Sequence, residues 1–117
     1  MKLLISQIEF EQLIGLQEPE VGVTIPDFTV IYFTAAWCSA CRRLDLNAIE
    51  AATPGVNWLK CDVDMNNYTP GYCGVRSIPA FLIVNKTKVS PVFQSSDTNK
   101  VIEWVTKEMN TGTPVKE

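Results

Sequence analysis

The pattern of apolar and polar residues predicts that strands and helices alternate along the chain. Three short runs are mostly apolar and rich in β-branched or aromatic residues, which is typical of strands covered on both faces. These runs are residues 28–35, 56–63 and 80–84. Two weaker strand candidates are residues 3–5 and, after a turn at 85–88, residues 89–93.

Apolar positions three or four residues apart predict three helices among these strands. The first follows Ser6, which has with Glu9 the spacing of a capping box, and extends to about Leu16. The second is expected over residues 38–52, and the last begins after a cap at Asp97. The residues predicted to face inward are Leu44, Ile49 and Ala52 in the second helix and Val101, Ile102, Val105 and Met109 in the last, with Trp104 beside them.

The order of elements, β-α-β-α-β-(α)-β-β-α, predicts an α/β fold with a central mixed sheet of about five strands and helices on both faces. Residues 17–27 are expected to form a loop, and residues 64–73 a polar segment with one short helix. The 117 residues contain no repeat or composition break, so residues 1–117 are predicted to be a single domain. The tail, residues 111–117, is expected to fray.

The composition argues against several classes of protein. The hydrophobic fraction of 46% and the charged fraction of 20% are typical of soluble globular proteins. With 10 basic and 13 acidic residues, the net charge of −3 argues against binding to nucleic acid or to an anionic membrane. Only three apolar residues separate Lys2 from Ser6, too few for the core of a signal peptide. We therefore expect a cytoplasmic protein, in which paired cysteines are more often catalytic or metal-binding than structural.

Histidine is absent from the sequence, whereas cysteine occurs four times. The absence of histidine removes histidine general bases, Cys–His nucleophilic pairs and every metal site that needs an imidazole ligand. Any chemistry must therefore come from thiols, carboxylates or lysine amines.

Cys38 and Cys41 lie where the predicted buried strand gives way to a helix. Free N–H groups and the positive end of the helix dipole favour a thiolate at Cys38. In a C-x-x-C setting, a thiol pKa near ~8.5 falls to roughly 3.5–7.5. Cys41, one turn later, is placed to close a disulfide with Cys38. As the more exposed thiol, Cys38 is predicted to attack a substrate disulfide, and Cys41 to resolve the mixed disulfide.

Other uses of the four cysteines remain open, among them a structural disulfide, two inert buried thiols and a zinc site. A zinc site of four thiolates needs two close pairs, and Cys61 and Cys73 are separated by 11 residues. Cys61 lies in a predicted strand and is expected to be a small buried hydrophobe. Cys73 precedes Gly74 in a polar segment, so we expect it to be exposed and an incidental thiol more often than a functional one.

W-C-x-x-C after an apolar strand, with the proline of Ile78-Pro79 standing 38 residues beyond the second cysteine, resembles the thioredoxin family. The resemblance covers about residues 2–110. The segment 75–79 (VRSIP) is similar to the one before the cis-proline of bacterial-type thioredoxins, and Lys60 with residues 62–64 fits the family's third strand.

The resemblance implies the thioredoxin fold and a protein-disulfide reductase that acts in electron transport and cell redox homeostasis. It implies disulfide-containing client proteins and a thioredoxin-reductase-type electron donor as partners, a monomer, and no metal or organic cofactor beyond the Cys38–Cys41 disulfide. It also implies that Pro79 is cis and faces the disulfide, so that the backbone of Ile78, with Trp37 nearby, binds an extended substrate segment. A proline directly before a strand fits the strand's edge, because it donates no ladder hydrogen bond.

The residues between the two cysteines differ from the family pattern, since Ser39 and Ala40 replace the usual Gly-Pro. Losing the proline frees a backbone N–H near Cys41, and Ser39 adds a hydroxyl. Both changes are expected to stabilise thiolate, so the disulfide is predicted to be more oxidising than in typical members, within a family range of roughly −270 to −120 mV.

Tyr32 stands where thioredoxins keep a buried acid that helps the resolving cysteine lose its proton. With a reference pKa near ~10, tyrosine is a poor base at neutral pH. Tyr32 is therefore interpreted first as a core aromatic residue, and resolution by Cys41 is expected to be slower than in typical members. Lys60, which normally accompanies that acid, is expected to lose its partner.

Further differences concern the helix after the cysteines and the substrate groove. Leu46 replaces a helix proline and predicts a straighter second helix, whereas Ala80 and Ser95 alter positions beside the groove. Arg42 and Arg43 are interpreted as a solvated helix face that could also steer acidic partners. These changes leave two hypotheses for the function: a protein-disulfide reductase, or a binding module on the same fold with secondary redox turnover.

Overall fold

The structure is a computed structural model that describes residues 1–110, so the predicted frayed tail lies outside the described residues. Within these residues, six strands form one mixed sheet: β1 (Lys2–Leu3), β2 (Phe28–Thr34), β3 (Asn57–Asp62), β4 (Ala80–Asn85), β5 (Lys88–Val89) and β6 (Phe93–Gln94). The helices are α1 (Gln7–Leu13), α2 (Leu46–Ala52), α3 (Tyr68–Cys73) and α4 (Thr98–Asn110), with a 3-10 helix at Ala40–Arg43. None of the described helices is long and apolar enough to cross a membrane.

The sheet has the strand order β1-β3-β2-β4-β5, and β6 pairs with the other half of β4. Strands β1, β3 and β2 are parallel, whereas β4 runs antiparallel to β2. Helices cover both faces and bury a separate apolar cluster on each. One cluster contains Ile49 of α2 and Val101 of α4, and the other contains Phe10 of α1. The predicted α/β fold with a mixed sheet between two layers of helices is thereby confirmed.

The first helix has the predicted cap but is shorter than expected. The Ser6 hydroxyl accepts a hydrogen bond from the Glu9 N–H (3.2 Å), and the Glu9 carboxylate accepts one from the Ile5 N–H (3.1 Å). The second bond thus reaches one residue further back than in a standard capping box. The helix ends at Leu13 because the chain turns at Gly15, whose φ of +82° is readily adopted only by glycine.

The prediction of one continuous helix over residues 38–52 is wrong. The 3-10 helix ends at Arg43, Leu44 is extended (φ −80°, ψ 133°), and α2 begins only at Leu46. The carboxylate of Asp45 caps α2 by accepting the Ala48 N–H at 3.0 Å, which favours a helix start at this point. The Asp45 N–H donates to the Thr98 hydroxyl (2.9 Å) and so ties the break to α4.

The expectation of a straighter helix from Leu46 is therefore wrong, since the chain breaks immediately before this residue. Leu44 and Ile49 are buried as predicted, but Ala52 is exposed. In α4, Val101 and Val105 are fully buried. Met109, in the last turn of the helix, is 36% exposed, although it was predicted to face inward.

The hairpin predicted over residues 89–93 is split into β5 and β6. Ser90 interrupts the strand: its hydroxyl accepts the Ile83 N–H at 2.8 Å, while its own N–H donates to the Ile83 carbonyl at 2.8 Å. Pro91, which has no N–H, follows. The chain nevertheless returns to β4, where Phe93 pairs with Phe81.

The turn between β4 and β5 contains the two described non-glycine residues that have positive φ, Lys86 at +50° and Thr87 at +72°. Two-residue hairpin turns of this shape favour Asn-Gly, and the left-handed region is especially unfavourable for β-branched threonine. We therefore expect Thr87→Gly to raise the free energy of unfolding by about 1 kcal/mol, measured by urea denaturation. Thr87→Ala removes the branch but keeps a Cβ, and should gain less. A loss of stability in Thr87→Gly would contradict the inference that the backbone at Thr87 is strained.

Candidate active site

Cys38 and Cys41 form a disulfide, with their Cα atoms 5.3 Å apart. Strand β2 ends at Thr34, and Cys38 lies four residues later, directly before Ser39 at the cap of the 3-10 helix. Within this turn the Cys41 N–H donates to the Cys38 sulfur at 3.1 Å. A free N–H at the start of a helix therefore points at Cys38, as the sequence predicted. In the reduced protein the same hydrogen bond would stabilise a Cys38 thiolate.

Exposure does not distinguish the two cysteines. Cys38 is 5% exposed and Cys41 is 6% exposed, and both belong to the same buried cluster. The expectation that Cys38 is the more exposed thiol is therefore wrong for the disulfide form. What distinguishes Cys38 is its sulfur, which accepts the hydrogen bond that Cys41 donates.

Ser39 is the cap of the 3-10 helix and Ala40 is its first residue, and their expected stabilisation of thiolate stays a prediction. Ser39 forms no side-chain capping bond; its carbonyl instead accepts the Arg42 N–H at 3.1 Å. Ala40 packs against the buried cluster. The N–H that reaches the Cys38 sulfur belongs to Cys41 itself, so it does not depend on the loss of a proline at position 40.

Tyr32 lies in the floor beneath this site. It is 2% exposed, stacks on Phe81 with ring centroids 5.1 Å apart, and belongs to the cluster that contains both cysteines. In the sheet it stands beside Phe81 of β4 and Lys60 of β3, so Lys60 lies on the same face. Burial raises the pKa of Tyr32, while a hydrogen bond with Thr34 acts in the opposite direction. Tyr32 is thus a neutral core aromatic residue.

Two polar contacts around the cysteines had no signal in the sequence. The indole N–H of Trp37, a residue 65% exposed, donates to the carboxylate of Asp64 at 2.9 Å. The Arg42 guanidinium donates to the Ala36 carbonyl at 2.7 Å. Arg42 is exposed, as expected of a solvated helix face, and this bond to the backbone is an additional contact. Both partners are remote in sequence or are backbone atoms, and local patterns reveal neither.

A groove of about 540 Å³ begins at Trp37 and reaches the segment that precedes Pro79. The Ile78–Pro79 peptide bond is cis, which confirms the expectation drawn from the resemblance. Arg76 is the charged side chain in the lining. The lining residues are Trp37, Val63, Asn67, Pro70, Gly71, Val75, Arg76, Ser77 and Ile78. The structure therefore brings two of the predicted substrate-binding residues, Trp37 and Ile78, to one surface.

Cys61 and Cys73 are poor candidates for thiolate chemistry. Cys61 is fully buried, as predicted, and its thiol donates to the Asn66 carbonyl at 3.6 Å. Cys73 is the last residue of α3 and is partly buried, so its placement in an exposed polar loop is corrected. Burial, together with the charge of Asp62 at Cys61 and of Cys61 at Cys73, raises the pKa of both thiols to about 12. Within residues 1–110, no three Cys, Asp or Glu side chains are grouped as metal ligands.

Comparisons with known proteins agree with this geometry. The thioredoxin family model matches residues 18–107. The chain is 30% identical over 84 residues to the H-type thioredoxin of Ricinus communis, covering 70% of this chain and 71% of that protein. It is 36% identical over 80 residues to mitochondrial thioredoxin-3 of Saccharomyces cerevisiae, covering 67% and 63% respectively. Among solved structures, Fasciola hepatica thioredoxin superposes with a TM-score of 0.74 at 26% identity, covering 92% of this chain and 98% of that chain.

A family match over most of the chain, a similar fold and a C-x-x-C disulfide at the end of a central strand together decide the assignment. The chain belongs to the thioredoxin family of thiol–disulfide oxidoreductases.

Proposed function

We propose that this protein reduces disulfide bonds in client proteins through Cys38 and Cys41. The Cys38 thiolate attacks a client disulfide, forms a mixed disulfide and releases one client thiolate. Cys41 then attacks Cys38, which releases the second client thiol and leaves the Cys38–Cys41 disulfide. Two electrons pass to the client, and a thioredoxin-reductase-type donor returns them. The observation that carries these roles is the hydrogen bond from the Cys41 N–H to the Cys38 sulfur.

The groove beside Trp37 is the proposed binding site for the client. Its lining is mainly apolar, with Val63, Pro70, Val75 and Ile78 beside the indole, and so fits an extended segment that carries apolar side chains. In this proposal the Ile78 backbone, directly before the cis bond to Pro79, pairs with the client backbone.

Resolution by Cys41 is the step in which this protein is proposed to differ from typical thioredoxins. Cys41 attacks only as a thiolate, so it must first lose its proton. Tyr32 occupies the floor of the site, and burial raises its pKa, so at neutral pH it does not accept that proton. No Asp or Glu side chain among residues 1–110 is buried, so none takes the place of the family's buried acid. Resolution is therefore proposed to be slow, with Lys60, which pairs with Tyr32 on the neighbouring strand, as a candidate to stabilise the Cys41 thiolate.

Slow resolution also supports the second candidate function, a binding module that keeps its partner in a long-lived mixed disulfide. The observation that favours it is the buried, neutral Tyr32. The two functions differ in turnover: a reductase reduces many insulin-type disulfides per molecule, whereas a binding module stops after about one.

The cellular setting is proposed from the composition. With a net charge of −3, the protein is proposed to act in the cytoplasm with no nucleic-acid or membrane partner. Its likeness to thioredoxins supports the proposal that it is a monomer with no bound cofactor. Its proposed role there is electron transfer in cell redox homeostasis.

The roles of the two cysteines are tested by single replacements. Cys41→Ser should trap a stable mixed disulfide between Cys38 and the client, because the resolving thiol is missing. Cys38→Ser should trap far less, and both variants should lose catalytic reduction of insulin. The measurement is non-reducing electrophoresis with mass spectrometry of the adduct. Equal trapping by the two variants would show that Cys38 is not the specific nucleophile and Cys41 not the specific resolving thiol.

The four thiols of the reduced protein should differ in reactivity toward limiting iodoacetamide. At pH 7, a pKa of about 12 leaves on the order of one molecule in 10⁵ as thiolate at Cys61 and Cys73. Cys38, which accepts the Cys41 N–H, should be alkylated first. Peptide mapping by mass spectrometry measures the order. Preferential labelling of Cys73 would refute Cys38 as the nucleophile.

Tyr32→Asp should affect stability and resolution in opposite directions. The free energy of unfolding should fall by on the order of 3 kcal/mol or more, because a buried ring is lost and an acid is buried. Resolution per folded molecule should accelerate, because the carboxylate accepts the Cys41 proton. Stopped-flow reduction of a disulfide substrate, corrected for the folded fraction, measures the second effect.

Two control variants separate the acid from the cavity. Tyr32→Phe keeps the ring and should resolve at the wild-type rate, whereas Tyr32→Asn creates the cavity without a base and should not accelerate. If folded Tyr32→Asp resolves the mixed disulfide no faster than Tyr32→Asn, the missing acid does not limit the rate of resolution in this protein.

A further inference from the structure

The segment between β2 and the 3-10 helix, residues 35–39, carries both Trp37 and Cys38. Its backbone turn is closed by a hydrogen bond from the Cys38 N–H to the Ala35 carbonyl at 3.1 Å. In the disulfide form, Cys38 is also covalently joined to the 3-10 helix through Cys41. Reduction removes that bond, so hydrogen bonds alone then determine where Cys38 lies.

Two side-chain hydrogen bonds anchor the adjacent residues Ala36 and Trp37 of this segment. The Arg42 guanidinium donates to the Ala36 carbonyl at 2.7 Å, and the Trp37 indole donates to Asp64 at 2.9 Å. Each bond includes a charged group, which makes it stronger than a bond between neutral groups. The Arg42 bond has a further property: it joins residue 36 directly to residue 42 and so closes a ring that contains both cysteines.

We propose that Arg42 is a positioning residue of the redox reaction, which holds the segment bearing Cys38 in the geometry of the disulfide form through its bond to the Ala36 carbonyl. The proposal rests on Cys38 and Cys41 being the redox pair. Ala36 and Arg42 are both exposed, so the contact lies outside the buried cluster and is not required to complete the core.

The effect on the redox equilibrium follows from the flexibility of the two forms. The disulfide fixes residues 38–41, so closing the ring from Arg42 to Ala36 costs less conformational entropy in the disulfide form than in the dithiol form. The hydrogen bond is therefore more favourable in the disulfide form. Because such coupling is reciprocal, the bond in turn favours the disulfide. Removing it should make the Cys38–Cys41 disulfide easier to reduce.

The positive charge of Arg42 acts in the opposite direction. A cation near Cys38 stabilises the thiolate of the dithiol form, so losing the charge alone should make the disulfide harder to reduce. Arg43 separates the two effects. It is the next residue of the same helix, is also exposed and carries the same charge, and no hydrogen bond among the described residues ties its guanidinium to residues 35–39.

The experiment compares the wild type with Arg42→Met, Arg43→Met and Arg42→Lys. Each protein is equilibrated with glutathione according to dithiol + GSSG ⇌ disulfide + 2 GSH, which balances two electrons and two protons. The oxidised fraction is measured by acid quenching, alkylation and mass spectrometry. We expect the equilibrium constant of Arg42→Met to be about fivefold below that of Arg43→Met. Arg42→Lys, which keeps the charge and a donor, should lie closer to the wild type than Arg42→Met does.

Equal constants for Arg42→Met and Arg43→Met, or a higher constant for Arg42→Met, would overturn the proposal. A lower melting temperature of Arg42→Met, with an equilibrium constant equal to that of Arg43→Met, would also overturn it, because that result marks a merely structural contact. A wild-type protein that does not equilibrate with glutathione would refute the redox pair itself, which distinguishes failure of the proposed function from failure of the role of Arg42.

Discussion

The pairing of β2 on both sides is the constraint on which the rest of the structure depends. Its residues are hydrogen-bonded in register to β3 on one side and to β4 on the other, and helices bury both of its faces. A strand held in this way has no freedom to shift, because a slip of one residue would move every apolar side chain to the opposite face. The end of β2 is therefore a fixed point, and the redox turn begins directly after it.

This fixed point explains how a short exposed loop supports redox chemistry. Cys38 and Cys41 close a turn that is anchored to the sheet through β2 and to the helical layer through Leu44. The Cys41 N–H then points at the Cys38 sulfur. Trp37 remains exposed at the rim because Asp64, which follows β3, accepts its indole N–H. Strand β4 begins directly after Pro79, so the same sheet also positions the segment proposed to bind clients.

Tyr32 shows how one substitution within β2 combines stability with chemistry. The ring stacks on Phe81, which also lies edge-on to Trp58, and so extends the aromatic packing beneath the cysteines. A carboxylate at this position would be costly to bury but could accept a proton. The aromatic ring is favourable to bury but cannot accept a proton. The physical consequence is a well-packed floor that offers no base to the proposed resolving step.

The residue pattern alone predicted the order of the main strands and helices and the mixed sheet, and it favoured a redox pair at Cys38 and Cys41. The cis-proline was implied by the resemblance to the thioredoxin family, which the spacing from Cys41 to Pro79 carries. Long apolar runs, caps such as Ser6 and Asp97, and the spacing from Cys41 to Pro79 are local or fixed-spacing signals that a linear reading captures. Two features depend on tertiary contacts: the break at Leu44, where Asp45 bonds to α4, and the split of the last hairpin at Ser90. The tertiary structure alone showed the equal burial of the two cysteines and the bonds from Arg42 to Ala36 and from Trp37 to Asp64. In these features a side chain packs against or bonds to a group that is distant in the chain, or to a backbone atom. The type of a residue does not specify which of these groups the fold will bring within reach.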